Sequence, residues 1–303
     1  MREWGMTSPR QLQELYQKGE NISSFLRQEL GVGHNTPEII EISYEMQSGS
    51  YIAAMGDDKI KQHKEEYARE IARTIGHWCA PSSVLEAGVG EATTLAGVLK
   101  NMGRISSYGF DLSWSRVAFA KKWLGSQGFN HTGLCSGDLF NIPLLDNSID
   151  VVYTSHSIEP NGGKEEAILR ELYRVTRKFL ILLEPGYELA HAEARQRMDA
   201  HGYCKNLQGM AKRLGYDVME HKLFPFTANP LNPTALTVIR KNSEASLPNN
   251  VLACQKFKTP LKEIHGCLFS PEALVVYPVL AGIPCLRIEN GILASKFEEV
   301  MRS

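Results

Sequence analysis

The sequence predicts an α/β protein: a doubly wound parallel sheet, preceded by an N-terminal helical cap and followed by a small C-terminal α+β module. Three observations predict it. Residues 79–240 alternate short apolar runs with helical segments, the pattern of βαβ units. A glycine-rich turn follows the first of these runs, and acidic residues close the next ones. Residues 1–78 instead carry their apolar side chains at helical spacing.

In chain order, Ser8-Pro9 reads as a helix start, with Leu12, Leu15 and Tyr16 on one face. Ile39, Ile42, Tyr44 and Met46 mark a second amphipathic stretch. Lys59 to Trp78 fits a third helix, with Tyr67, Ile71 and Ile75 at four-residue intervals. Strands are expected at 83–86, 106–111, 150–154, 179–184 and 234–239, and helices at 92–101, 115–124 and 165–176. Residues 241–249 read as a polar linker. The tail, 250–303, has strand signals at 273–277 and 284–288.

Composition narrows the function. The 303 residues hold 33 Lys+Arg against 34 Asp+Glu, a formal net charge of -1. That balance lacks the electrostatic footprint of a general nucleic-acid binder. Six cysteines are too sparse for a disulfide scaffold, so reduced thiols and a cytoplasmic location are expected. No apolar run reaches the ~18 residues of a membrane helix, and the polar start lacks a signal-peptide core.

The most informative segment is Val84-Leu-Glu-Ala-Gly-Val-Gly-Glu-Ala-Thr93. A buried strand ends at Glu86 and turns through Gly88 and Gly90 into a helix. Glycine lets backbone approach a ligand closely or adopt positive φ. Such a turn can also be a plain strand-to-helix connection. Glu86 tips the reading, because its carboxylate repels a dinucleotide pyrophosphate and attracts a positive centre. The turn also lacks the third glycine of the dinucleotide fingerprint. Both points favour a cationic nucleoside over NAD. Asp111 follows 25 positions after Glu86 and can accept both ribose hydroxyls. Asp138, 27 positions later, can accept from the exocyclic amine of adenine, with Leu112 and Leu139 flanking the base. Each aspartate alone could be a turn or cap residue. Three carboxylates at strand ends are harder to explain that way.

These motifs resemble the class I S-adenosylmethionine-dependent methyltransferases, near their ubiquinone-biosynthesis-like small-molecule branch. Glu86-Ala-Gly-Val-Gly90 corresponds to the family's acidic-x-Gly-x-Gly motif and Gly109-Phe-Asp-Leu-Ser113 to its second-strand motif. Residues 137–152 resemble the adenine-contacting loop and fourth strand, and Glu171-Leu-Tyr-Arg-Val-Thr176 the helix before the fifth. The resemblance spans roughly residues 80–240, with Ala92 where the family often has a third glycine. It implies a Rossmann-like sheet and S-adenosylmethionine as cofactor. The cofactor-binding residues it implies are Glu86, Gly88, Gly90, Asp111, Leu112, Asp138, Leu139 and Ser155. Tyr51 or Gln47, from the cap, is a further candidate for the cofactor's methionine part; a core-packed aromatic stripe is the other reading of that segment.

In this family the segment after the fourth strand faces the methyl group. Here it is Thr154-Ser-His-Ser-Ile-Glu-Pro-Asn-Gly-Gly163. His156 and Glu159 are candidate bases and Asn161 a candidate substrate ligand. Methyl transfer needs alignment above all, and a hydroxyl acceptor also benefits from a base. Glu184 ends the fifth strand and is expected to open on the cleft. Arg195, His201 and Tyr203 lie in a segment that departs from the family core and are candidate substrate contacts; Arg197 lies beside them. A solvated helix face is the plainer reading of each arginine.

Leu252-Ala-Cys-Gln-Lys-Phe-Lys-Thr-Pro-Leu261 and Tyr277-Pro-Val-Leu-Ala-Gly-Ile-Pro284 resemble a small zinc-ribbon family that includes the partner subunit of tRNA and release-factor methyltransferases. The ligand pattern is broken: Phe257 stands where a second cysteine would complete the pair, and no metal is expected. The tail either supports the catalytic domain or mediates homodimerisation.

The leading expectation is thus a methyltransferase acting at oxygen on a small molecule or glycan precursor. Two alternatives stay open: a macromolecular methyltransferase acting on tRNA or protein, and a non-catalytic interaction protein of the same fold.

Overall fold

Alternation along the central strands decides the architecture. In the computed structural model, which describes residues 7–301, Val84 and Val151 point into one apolar layer while their neighbours Leu85 and Val152 point into the other. Only a sheet covered on both faces buries consecutive residues this way. The first six residues of the polar start, and the last two of the chain, lie outside the described residues.

The cap comes first, as α1 (Pro9–Gln17), α2 (Ile22–Leu30), α3 (Pro37–Met46), α4 (Ser50–Ala54) and α5 (Asp58–Trp78). Ser8 and Gln11 form a reciprocal capping box at the start of α1. Leu12, Ile22, Leu26, Ile39 and Ile42 make a small core of their own. Tyr67, Ile71 and Ile75 of α5 pack instead on the sheet. Burying side chains of this size contributes about 1.5–3 kcal/mol each.

The sheet layer runs β1 (Ser83–Ala87), α6 (Thr93–Met102), β2 (Ser106–Asp111), α7 (Trp114–Ser126), β3 (Gly133–Ser136), β4 (Ile149–Ser155), α8 (Glu165–Val175), β5 (Thr176–Pro185), α9 (Ala192–His201), α10 (Leu207–Arg213), β6 (Asp217–Leu223) and β7 (Thr234–Arg240). The strand order is β3-β2-β1-β4-β5-β7-β6. The order reverses between β1 and β4, and a cleft opens at such a switch point. The first five strands are parallel, as expected. β7 is not: it runs antiparallel between β5 and β6. The doubly wound sheet is therefore mixed at this edge, because β6 and β7 connect through a loop rather than a crossover helix.

Beyond the irregular 241–249 stretch, the tail forms β8 (Lys262–Ile264), β9 (Cys267–Ser270), β10 (Val275–Tyr277), β11 (Val279–Leu280), β12 (Ile283–Pro284), β13 (Ile292–Leu293) and α11 (Phe297–Met301). β13-β10-β9-β8 make an antiparallel sheet, and β11 and β12 a hairpin. The strand expected at 284–288 ends at Pro284. Past it the chain turns onto the main sheet, where Leu286 N donates to Ser136 O at 3.1 Å. The tail also shares the α8-side core: Cys254, Leu268, Tyr277 and Leu286 lie in one cluster with Val152 and Leu172. Leu145 N donates to Val251 O, and Ala253 N to Pro143 O, both at 2.9 Å. The tail therefore braces the 138–146 loop beside β3. Among the described residues no helix is long and apolar enough to cross a membrane, and no cluster of His, Cys, Asp and Glu could hold a metal ion.

Candidate active site

A cavity of about 370 Å³ opens at the carboxyl ends of β1, β2 and β4. Its size is that of a small-molecule site. Its floor is the glycine turn. Gly88 has φ +75° and lies so close to the post-β4 loop that a Cβ would meet Ser157 Cβ at 2.3 Å. No side chain fits there. Ala92 stands at the third glycine position and also adopts positive φ, +58°, at the start of α6. That backbone costs an L-residue roughly 1–2 kcal/mol, so the turn keeps its shape without the third glycine.

The three strand-end carboxylates, Glu86, Asp111 and Asp138, line this cavity together with Glu91 and Glu159. Glu86 is buried at its floor. The Tyr153 hydroxyl donates to Glu86 Oε2 at 2.9 Å, across the β1–β4 register that pairs the two residues. Burial pushes the Glu86 pKa up to about 8, against the pull of Tyr153 and Lys64. Asp111 accepts from Gly90 N at 2.9 Å and from Ser113 N at 3.0 Å, so it ties the glycine turn to Ser113, the N-cap of α7. Asp138 accepts from Phe140 N at 2.9 Å, and burial raises its pKa. Leu112 and Leu139 border the cavity beside it. Ser155 lines it too, with its hydroxyl 3.0 Å from Tyr67 Oη.

The cap closes over this floor. Tyr51 of α4 lines the cavity, whereas Gln47 does not. Arg116 of α7 is sandwiched between the Tyr44 and Tyr51 rings, its guanidinium carbon 4.9 and 4.7 Å from their centroids. Lys64 of α5 lies 5.9 Å from the Tyr51 ring, and burial lowers its pKa although Glu86 works the other way. The sequence reading missed Arg116 and Lys64. Lys64 had a signal, since it extends the helical row of Tyr67 and Ile71. Arg287 of the tail, which also lines the cavity, had none.

The other end of the cavity carries His156, Glu159 and Asn161. His156 Nδ1 is 2.5 Å from Glu159 Oε2, and its Nε2 is 2.8 Å from Thr234 Oγ1. Burial works against the imidazolium, but the Glu159 carboxylate outweighs it and holds the His156 pKa above its ordinary value. The same pairing, with Asn232, holds Glu159 low despite burial. His156 has φ +55°, a left-handed conformation that needs outside support. Glu184 supplies it. Its carboxylate accepts from Ser157 N, Ile158 N and Glu159 N at 3.1, 3.2 and 3.0 Å. Glu184 was expected to open on the cleft; it is buried beneath the loop and clamps it. Burial brings its pKa up to about 7. Asn161 is buried, and its Nδ2 donates to Ser157 O at 3.4 Å.

The three remaining substrate candidates do not line the cavity. Arg195 is exposed and donates to the carbonyls of Tyr187 and Glu188, both at 3.1 Å. Its helix, α9, faces solvent along that side. The His201 ring stacks on Tyr203, with centroids 5.2 Å apart. Tyr203 reaches the site only through its hydrogen bond to Glu159. Asn232 and Thr234, from the loop before β7 and its first residue, line the cavity instead.

A buried acidic floor, a glycine cradle and two further strand-end carboxylates fit a nucleoside that bears positive charge. The family comparison agrees. Residues 84–178 match the family described as Methyltransferase domain. The fold resembles magnesium protoporphyrin IX methyltransferase from Synechocystis PCC 6803, solved with bound SAH. The TM-score is 0.53 at 13% identity, over 68% of this chain and 100% of that one. It also matches a SAM-dependent methyltransferase from Aquifex aeolicus, with TM-score 0.46, 17% identity and 63% and 97% coverage. No curated protein matches the chain. Residues 84–178 thus carry a methyltransferase domain.

Proposed function

We propose that this methyltransferase acts at a hydroxyl oxygen of a polar small molecule in the cytoplasm, a sugar unit or glycan precursor being one such acceptor. The observation that carries this reading is the His156–Glu159 pair at 2.5 Å in the cavity wall. In this reading S-adenosylmethionine is the cofactor: Glu86, Gly88, Gly90 and Asp111 bind its amino-acid and ribose parts, Asp138, Leu112 and Leu139 its base, Tyr51 its methionine part, and Ser155 lies in the same binding set. Bound S-adenosylmethionine supplies a methyl group on a sulfonium sulfur, which leaves as a neutral thioether. Glu159 orients the imidazole through Nδ1. Nε2, which Thr234 now engages, takes the acceptor's proton as the oxygen–methyl bond forms. Asn161, Asn229 and Asn232 offer amides to a hydroxyl-rich acceptor. The division into a cap at 1–78, a catalytic domain at 79–240 and a tail module at 250–303 belongs to the same reading.

Transfer of a labelled methyl group from S-adenosylmethionine to a panel of polyhydroxylated small molecules tests it. A labelled ether product, lost in His156→Ala while S-adenosylhomocysteine (SAH) still binds, supports the proposal. Labelled amine or carbon products, or full activity in His156→Ala, would refute it.

A further inference from the structure

We infer that the tail contributes a cofactor-binding residue, Arg287, and that its ion pair with Glu41 of the cap forms a latch over the nucleoside end of the cavity. This rests on the assignment of S-adenosylmethionine as cofactor and adds to it a role for residues outside the family's motifs.

The observations are geometric. Arg287 Nη1 and Nη2 donate to the two carboxylate oxygens of Glu41 at 2.6 and 3.0 Å. This two-pronged arrangement is the most directional ion pair a protein makes. Both side chains are largely withdrawn from water, at 12% and 16% exposure, so the pair is not the solvent-screened surface kind. The partners are 246 residues apart in sequence. One belongs to α3, the other to the segment that leaves the β12 hairpin and joins β3 through Leu286. Among the described residues, nothing else that lines the cavity comes from the tail.

Position gives the pair its meaning. Arg287 borders the cavity on the side of Asp138 and Leu139, and Ile40, next to Glu41, lines it as well. Cap and tail thus meet where the adenine base belongs. The Arg287 guanidinium and the Asp138 carboxylate feel each other's charge, which puts the cation beside the acidic residue at this end of the cavity. Purine ring nitrogens are acceptors, and they are the chemistry this end of the cavity is built to receive. Arg287 also pairs with Glu289, which holds the guanidinium in place from the tail side. The latch therefore has two tasks: the Arg287 side chain at the cavity wall meets the base, and the Glu41 pair keeps cap and tail together while the nucleoside is bound.

Three variants, Arg287→Gln, Arg287→Lys and Glu41→Gln, test it by calorimetric titration and stopped-flow tryptophan fluorescence. The ligands are SAH and 5′-methylthioadenosine, which keeps the nucleoside and lacks the amino acid. Arg287→Gln is expected to weaken both ligands by the same factor, roughly tenfold or more. Arg287→Lys keeps the charge and loses the fork, so it falls between. Glu41→Gln is expected to speed dissociation of both ligands, and the double variant Glu41→Gln/Arg287→Gln to lose less than the sum of the singles. The inference is overturned if Arg287→Gln and Arg287→Lys bind both ligands as the parent does. It is also overturned if the loss appears with SAH and not with 5′-methylthioadenosine, which would place the effect at the amino-acid end. A parent protein that binds neither ligand would instead sink the cofactor assignment itself.

Discussion

Glu91 of the glycine turn holds Ile52 of the cap: its Oε2 accepts from Ile52 N at 2.7 Å, while Oε1 accepts from Gly49 N at 2.9 Å. A buried carboxylate thus satisfies the free backbone donors at the start of α4. The glycine turn and its cover are joined by one side chain. Glu45 adds a second tie, accepting from the Ser113 and Ser115 hydroxyls at the start of α7.

The first prediction follows from that tie. Glu91→Ala leaves the α4 donors unpaired and frees Tyr51 from its place over Arg116. Hydrogen bonds to a charged group contribute about 1.5–3 kcal/mol. SAH affinity should fall roughly tenfold, mainly through faster dissociation, and limited proteolysis should cut near residues 48–56. Unchanged dissociation with unchanged proteolysis would show that the cover is held by other contacts.

The glycine-turn half of the cavity was legible in the sequence because each residue there answers a local demand. Glu86, Gly88, Gly90 and Asp111 sit at strand ends, where alternation and turn chemistry mark them. β3 and β6 were not legible for the same kind of reason. β3 is only Gly133–Ser136, and β6 is an edge strand of mostly polar residues, so neither shows an apolar run. Asn232, Thr234 and Arg287 reach the cavity only through tertiary packing, which no spacing encodes. Arg195 and His201 do not line the cavity: Arg195 lies on the solvent side of α9, and His201 stacks on Tyr203 at its end. Ala92 shows the reverse case: the sequence departed from the motif and the backbone kept the glycine conformation.

The second prediction concerns pH and the cofactor. The Glu86 pKa stands at about 8 in the free protein. A ligand carrying positive charge favours the carboxylate, so binding lowers that pKa. Binding must then expel a proton below pH 8, and affinity falls as pH falls. SAH, with its α-ammonium, should weaken by up to about tenfold per pH unit between pH 8 and 6. Glu184 titrates at about 7, within the same window. Glu86→Gln separates the two, because it should bind more weakly at pH 8 and lose most of the slope. A parent affinity that is flat from pH 6 to 8.5 would contradict the role given to Glu86.

The third prediction concerns the base. Glu159 is what raises the His156 pKa, against the opposing effect of burial. Glu159→Gln removes the charge and keeps the shape, so the His156 pKa should drop. NMR titration of the imidazole should place it above the usual 6.5 in the parent and lower in the variant. The alkaline-rising limb of the methyl-transfer rate should move to lower pH by the same amount. If the imidazole titrates alike in both proteins, the pair does not tune the base.

The last prediction separates the scaffold from the site. Asp150 opens β4 and is fully buried. It accepts from Ser82 N at 2.8 Å and from Arg177 Nε at 2.5 Å, and pairs with Lys178 at 3.1 Å. It therefore fastens the starts of β1, β4 and β5 at the end of the sheet opposite the cavity. Burial alone would raise its pKa; the Ser82, Lys178 and Arg177 contacts overcome that and depress it. A depressed carboxylate contributes stability above its unfolded pKa of roughly 4, and that contribution is lost as pH falls further. Asp150→Ala strands two cations and a backbone donor, and should cost about 3 kcal/mol. Denaturant unfolding at pH 7 should show that loss, and the gap between parent and variant should narrow below pH 4. SAH affinity of the folded variant should stay within roughly twofold of the parent, because the sites are at opposite strand ends. A large change in affinity with little change in stability would mean that Asp150 acts on the site rather than on the fold.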